Sequence, residues 1–214
     1  NAVQQVNGAG VYSFCMCPGG IIAPCATAPG EVVTNGWSPS KRNNPFANSG
    51  IVVELRGDML KGLAADPLGG MRFQRSVEQA AWHAGGEHQS APAQRMEDFI
   101  LRRASADLPD CSYQPGIVPV TLDDVLPQDV SQRLREGLKA FGEKMRGYRT
   151  NEAVLVAVES RTSSPVRIPR DPATLQHTQV KGLYPCGEGA GYAGGIISAA
   201  IDGLRVIDAL AAGI

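Results

Sequence analysis

Short apolar runs separated by turn residues make up the N-terminal part of the chain. Val11 to Cys15, Gly20 to Pro24 and Glu31 to Thr34 are β-type runs, with Pro-Gly turns between them. Gly50 to Leu55 is a further run of this kind, after a loop rich in Asn, Ser and Pro. These runs predict an antiparallel meander.

Helical periodicity replaces this pattern farther along the chain. Apolar residues from Met71 onward recur at helical spacing until Gly85-Gly86, which is typical of a helix end. A second helix is expected over Ala93 to Arg103. A third helix should begin near Pro127, because proline is tolerated in a first turn. Its apolar stripe consists of Val130, Leu134, Leu138, Phe141 and Met145.

Two different patterns follow the third helix. Ala153 to Val158 is a compact, valine-rich run that predicts a strand buried on both faces. Arg161 to Arg170 carries three arginines, three hydroxyls and two prolines, so its polar groups are presented from extended or looped backbone. The elements together predict an α+β fold, with an antiparallel sheet or small barrel and helices packed on it.

The C-terminal segment combines a short strand pattern, a glycine-rich turn and a helix. Lys181 to Cys186 predicts the strand, Gly187 to Gly195 the turn and Ile196 to Leu210 the helix. This order aims free backbone N–H groups at a negative ligand. Gly189 to Gly194 also matches G-x-G-x-x-G, but a dinucleotide fingerprint needs a second strand afterwards, with an acidic residue roughly 20 positions on. Asp208 lies at that distance inside the helical pattern, so a small NAD(P)-binding protein is a disfavoured alternative.

Several segments in a fixed order carry a family resemblance. They are Phe14 to Gly20, Val33 to Gly36, Ala91 to Gln94, Glu159 to Arg170 and Gly182 to Gly203. This set resembles the C-terminal half of the bacterial FAD-dependent, or NAD(FAD)-utilising, dehydrogenases. Those enzymes are related in layout to glutathione-reductase-like flavoproteins with two dinucleotide-binding domains. The resemblance spans nearly the whole chain.

The resemblance implies different roles for two parts of the chain. Residues 1–180 would form a substrate-side α+β domain, and residues 181–214 would return to an FAD-binding domain whose N-terminal Rossmann part lies upstream. Glu188 would accept hydrogen bonds from the ribityl or linker hydroxyls, and the amides around Gly194 would face the pyrimidine side of the flavin. The implied FAD contacts are Gly187, Glu188, Gly189, Ala190, Gly194, Gly195 and Ile196.

Other candidate residues have competing interpretations. Arg161 and Arg167 would lie at the substrate or the flavin rim, or would be solvated surface charges. Cys15 and Cys17 are interpreted first as small buried residues that flank a turn. The competing interpretation places them at the substrate or flavin rim as a redox pair, although C-x-C between strands departs from the spacing of disulfide reductases. The two cysteines lack the second Cys or His pair of a zinc finger, so no metal site is expected.

Composition restricts the partners. The formal charge of −1 provides no field for nucleic acid, and no apolar run approaches the roughly 20 residues of a membrane span. An odd number of cysteines, five, favours a reducing cytoplasm. The resemblance then implies part of an FAD-dependent oxidoreductase that acts on a small molecule, is inactive as an isolated chain and leaves NAD(P) open as a second cofactor. A non-catalytic binding module of flavoprotein topology is the alternative from another class.

Overall fold

The computed structural model describes residues 2–57, 59–60, 62–63 and 65–212 and confirms the α+β class. The chain divides into two compact units, Asn1–Lys61 with Arg75–Ser160 and Gly62–Gln74 with Arg161–Ile214. The strands are β1 (Ala2–Val6), β2 (Ala9–Cys17), β3 (Ile21–Pro24), β4 (Thr34–Trp37), β5 (Asn48–Val53), β6 (Ala91–Arg95), β7 (Ile117–Pro119) and β8 (Val154–Val156). The helices are α1 (Gly69–Ala84), α2 (Met96–Leu101), α3 (Gln128–Lys144) and α4 (Ile196–Ala212), with a 3₁₀ turn at Leu122–Asp124.

The predicted meander corresponds to two antiparallel sheets in the first unit. One has the order β1-β2-β5, and the other is the β3-β4 hairpin. The strand expected at Glu31 to Thr34 was misplaced, since pairing begins at Thr34. Before it, the Val32 N–H donates instead to the carbonyl of Glu78 in α1 at 3.1 Å. The sheets are open in the part of the chain that the structure describes, so the barrel alternative is not realised.

A third sheet has the order β7-β6-β8, with β6 parallel to β7 and antiparallel to β8. It corrects the helix expected over Ala93 to Arg103, because the segment begins as β6 and becomes helical only at Met96. Ala91 and Ala93 are fully buried in this central strand. Pairing on both sides outweighs the helical propensity of alanine there. Strand β8 is half-buried at the edge of the sheet, so it is less buried than expected.

Helix α3 packs its predicted apolar stripe into the core of the first unit. Leu138 is 1% exposed and Phe141 is fully buried. Gly137 lets the helix approach the sheet closely, since a Cβ there would lie 2.5 Å from Cγ1 of Val11. A fully packed core of this kind gives the first unit its stability.

The second unit has few buried apolar side chains among its described residues. Pro185, Ala190 and Val206 are buried, and α4 is its only long element apart from the start of α1. The strand expected at Lys181 to Cys186 was wrong, because residues 181–186 form a turn and coil. A strand requires continuous pairing with a neighbour; among its described residues this unit forms no sheet, but an isolated bridge between Arg170 and His177.

Candidate functional site

The glycine-rich turn before α4 is held by its own backbone. The Gly191 N–H donates to the Glu188 carbonyl at 2.9 Å, and the Tyr192 N–H donates to the Gly187 carbonyl at 3.0 Å. Gly187 and Gly191 have positive φ angles of 72° and 81°. Other residues adopt this conformation at a cost, so the turn itself accounts for both glycines.

Two further glycines of the turn are not required by the chain. A Cβ at Gly191 would lie 2.6 Å from the Val166 carbonyl oxygen, whereas a Cβ at Gly189 or Gly194 would meet no atom within 4 Å. Neither Gly189 nor Gly194 has a positive φ. The backbone at these positions therefore lies bare toward open space, which is the arrangement that a closely approaching ligand needs.

The first turn of α4 presents backbone donors. The Ala199 N–H donates to the Gly195 carbonyl. The amides of Ile196 to Ser198 precede it in the first turn of the helix, where N–H groups have no carbonyl acceptor within their own helix. Ile196, Ile197 and Ser198 are all exposed, so the start of the helix faces open space. Such a helix start attracts a negative group, and the residues present fit the anionic pyrimidine edge of a reduced flavin.

Glu188 and Ala190 occupy opposite environments in the same turn. Ala190 is buried, and its carbonyl accepts a hydrogen bond from the Ile168 N–H at 3.1 Å. Glu188 is exposed, which leaves its carboxylate available to hydroxyl groups. Of the other predicted cofactor contacts, Gly189, Gly194 and Ile196 are exposed, and Gly187 and Gly195 are half-buried.

An ion pair that we did not predict joins this turn to α4. Arg170 donates to both carboxylate oxygens of Asp202, at 2.7 and 3.0 Å, and the Gly187 N–H donates to the same carboxylate at 2.9 Å. The side chains are only 10% and 7% exposed. The Arg170 hydrogen bonds and the Gly187 N–H hold the pKa of Asp202 below its ordinary value. This pair fixes the turn against the helix.

The sequence contained a signal for this pair. Asp202 interrupts the apolar pattern of the last helix, and Arg170 ends the basic segment. An acidic residue four positions before the buried Val206 faces inward, and an inward carboxylate requires a cationic partner. The pattern alone does not say which arginine of the segment provides it.

The predicted arginines occupy different settings in the second unit. The Arg167 guanidinium lies 4.4 Å from the ring centroid of Tyr192, and that of Arg170 lies 3.6 Å from it. The Tyr192 hydroxyl donates to the Ile168 carbonyl at 2.8 Å, which fixes the ring. Arg161 is half-buried at the beginning of this unit. The structure thus places Arg167 directly beside the glycine turn.

Cys15 and Cys17 belong to the first unit and lie at an irregularity in the pairing of β2. Burial, the Glu159 carboxylate and Cys17 raise the pKa of the Cys15 thiol above its ordinary value. Redox-active cysteines usually have a lowered pKa. The raised pKa of Cys15 therefore does not favour a redox pair, which stays a prediction. Among the described residues, no cluster of His, Cys, Asp and Glu has the size of a metal site.

Comparison with known proteins identifies the family. A family model described as "FAD-dependent protein, C-terminal domain-like" matches residues 1–162. The chain belongs to this family. The predicted resemblance to the C-terminal portion of FAD-dependent proteins is thereby confirmed. The family description associates the domain with FAD and with an N-terminal portion.

One relative of this FAD-dependent family member is an uncharacterized protein of Clostridium beijerinckii (strain ATCC 51743 / NCIMB 8052). It is 45% identical over 201 residues, which cover 93% of this chain and 37% of that protein. The chain therefore spans little more than a third of its relative's length. The match extends beyond residue 162 and into the segment that contains the glycine turn. Within the described residues, no helix combines the length and apolar character of a membrane span.

Proposed function

We propose that the chain is the C-terminal part of an FAD-dependent oxidoreductase, a dehydrogenase that acts on a small molecule. The observation that carries the proposal is the bare backbone at Gly189 and Gly194, beside the exposed start of α4, in a chain of an FAD-dependent family. Residues 1–180 would provide the substrate-side domain and residues 181–214 the closing flavin contact. The proposed location is the cytoplasm, argued from the cysteine count.

The residues of the turn have distinct roles in this proposal. Bound FAD would supply the hydride chemistry. The amides at Gly194, Gly195 and Ile196 stabilise negative charge on the pyrimidine side, an effect of about 0.3–1 kcal/mol at an exposed helix start. Glu188 accepts hydrogen bonds from hydroxyl groups of the cofactor. Gly189 and Gly194 admit the ligand because they carry no side chain.

The exposed face of α4 supports the proposed N-terminal partner domain. Ile197, Leu204 and Ile207 are 72%, 66% and 61% exposed, although the helix has a buried opposite side at Asp202 and Val206. Complete burial of each such side chain is worth about 1.5–3 kcal/mol. We propose that this face packs on the N-terminal flavin-binding portion, since the relative extends far beyond the matched stretch.

Flavin retention tests the cofactor contact. The chain should be expressed together with the N-terminal flavin-binding portion, and bound FAD measured by its visible absorbance. Gly194→Val places a side chain on the bare backbone and should reduce the flavin content severalfold. Gly57→Val is the matched control, because it is also exposed with no atom within 4 Å of a Cβ. If both variants retain flavin equally, the proposed contact is wrong.

Anaerobic reduction separates the enzyme from a non-catalytic binding module. An oxidoreductase should show bleaching of the flavin by a physiological donor, and NADH and NADPH are the first to test. Reduction by dithionite alone, with no response to any biological donor, would favour the binding module. The use of NADH or NADPH as the donor stays a prediction, because neither the family description nor the relative's name mentions a nicotinamide cofactor.

A further inference from the structure

A cleft of about 730 Å³ lies within the second unit, with Arg205 and Ala209 of α4 in its lining. Three arginines, Arg167, Arg170 and Arg205, line it together with Tyr192 and with proline and small apolar side chains. The lining contains no acidic residue. Its volume is within the range of pockets that hold small organic ligands.

The three arginines differ in their pairing. Arg170 is occupied, since it donates to the Asp202 carboxylate and to the Pro185 carbonyl at 2.7 Å. Among the described residues, no carboxylate forms a salt bridge with Arg167 or Arg205. Arg167 and Arg205 therefore face one partly enclosed volume without a salt bridge of their own, although the charge of Arg205 also acts on the nearby Asp202 carboxylate. An oxyanion entering the cleft would relieve their mutual repulsion and pair with both.

The arginines are also preorganised to different degrees. Tyr192 is fixed through its hydroxyl, and its ring holds the Arg167 guanidinium at 4.4 Å. Arg205 projects from α4, which is anchored by the Asp202 ion pair one turn earlier. A planar guanidinium whose position is restrained binds carboxylate or phosphate with less loss of entropy than a free lysine.

The cleft is separate from the start of α4. Arg205 comes nine residues after Ile196, which corresponds to about 13 Å along the helix axis. The bare amides at the helix start and the Arg205 guanidinium thus serve different parts of the surface. Arg167 lies beside both, because its Cα would be 3.0 Å from a Cβ at Gly191.

We propose that this cleft binds the carboxylate or phosphate group of a small anionic molecule. Arg167 and Arg205 pair with the oxyanion, and Arg170 maintains the walls through Asp202. The apolar lining accommodates the hydrocarbon part of the ligand. The inference goes beyond the proposed flavin contact and does not depend on it.

Calorimetric titration of the chain, without flavin, tests the proposal. Inorganic pyrophosphate and succinate are the probes, so that the stronger response assigns the ligand to phosphates or to carboxylates. Arg205→Gln and Arg167→Gln should each weaken binding by about tenfold, equivalent to one lost ion pair of about 1.4 kcal/mol. Lys181→Gln is the matched control, since it removes one exposed positive charge of the same unit outside the cleft.

The outcomes are distinct. Binding that is weakened by both cleft variants and unchanged in the control supports the anion site. Binding that all three variants weaken equally is a general effect of charge and overturns it. No measurable binding of either probe to the folded chain, verified by circular dichroism, also overturns it. Flavin content has no influence on any of these results.

Discussion

Helices α3 and α4 have equal lengths and similar apolar stripes, yet they use those stripes in opposite ways. In α3 the stripe is buried, with Leu138 at 1% and Phe141 at 0% exposure. In α4 the stripe is exposed, with Ile197 at 72% and Leu204 at 66%. The inward side of α4 carries Asp202, which is paired with Arg170. An apolar stripe thus indicates that a surface is to be covered, and the covering element need not lie in the same chain segment.

This difference separates two kinds of stability. The first unit depends on packed side chains, as at Gly137 against Val11. The second unit depends on a buried ion pair and on hydrogen bonds such as that from Tyr192 to Ile168. Substitutions should therefore affect the two units through different mechanisms.

The largest effect is expected when the ion pair of the second unit is broken. Asp202→Ala leaves the Arg170 guanidinium buried without its counterion, which should cost about 3–5 kcal/mol. Hydrogen exchange of peptides from residues 161–212 would measure the loss locally. Asp208→Ala, an exposed change on the same helix, is the control. Equal protection in the two variants would show that the ion pair contributes nothing to this unit.

A matched pair of leucine substitutions tests the opposite stripes directly. Leu138→Ala should lower the free energy of unfolding of the first unit by about 2–5 kcal/mol, because it leaves a cavity. Urea titration followed by tryptophan fluorescence measures this, since Trp37 and Trp82 both lie in that unit.

Leu204→Ala should change the stability of the chain by less than about 0.5 kcal/mol, because the side chain is largely exposed. With the proposed N-terminal portion present, the same substitution should become destabilising. A large cost in the chain alone would contradict the contrast between α3 and α4.

Two glycine substitutions should have opposite signs. Gly137→Ala forces a Cβ against Val11 and should destabilise the first unit by about 1–3 kcal/mol. Gly203→Ala meets no atom within 4 Å inside α4 and should stabilise that helix by up to about 1 kcal/mol. Thermal unfolding of both variants gives the comparison. If Gly137→Ala raised the free energy of unfolding, α3 and β2 would be able to move apart to admit the Cβ, and the predicted clash would be wrong.

Acid should weaken the second unit through the same ion pair. Hydrogen bonds from Arg170 hold the pKa of Asp202 below its ordinary value of 3.8. A carboxylate with a lowered folded pKa stabilises the fold above the unfolded value, and this contribution is lost as pH falls through the folded pKa. The second unit should therefore lose protection below about pH 3.8. Asp202→Asn should reduce this dependence there, with a remainder from Asp171, whose pKa is lowered by hydrogen bonds from Thr174 and Ala173, and should leave that of the first unit intact, as measured by exchange corrected for the intrinsic rate.

Local patterns predicted most elements of the fold. Period-3.6 patterning predicted α1, α3 and α4, and the glycine turn lies where its residues indicated. The failures occurred where distant residues decide: Ala93 joins a strand because β7 and β8 flank it, and Val32 is diverted to Glu78. Residues 181–186 had a strand pattern, but the part of this unit that the structure describes contains no sheet strand for them to pair with.

The candidate site divides in the same way. The order of glycines followed by an apolar helix established a turn with free amides, because glycine permits positive φ and helix starts leave donors unpaired. Family membership followed from the ordered segments. Only the tertiary structure showed that Gly191 serves the fold while Gly189 and Gly194 face open space. The tertiary structure was also needed to show that Asp202 pairs with Arg170 rather than with Arg167, because the choice depends on contacts between residues 32 positions apart.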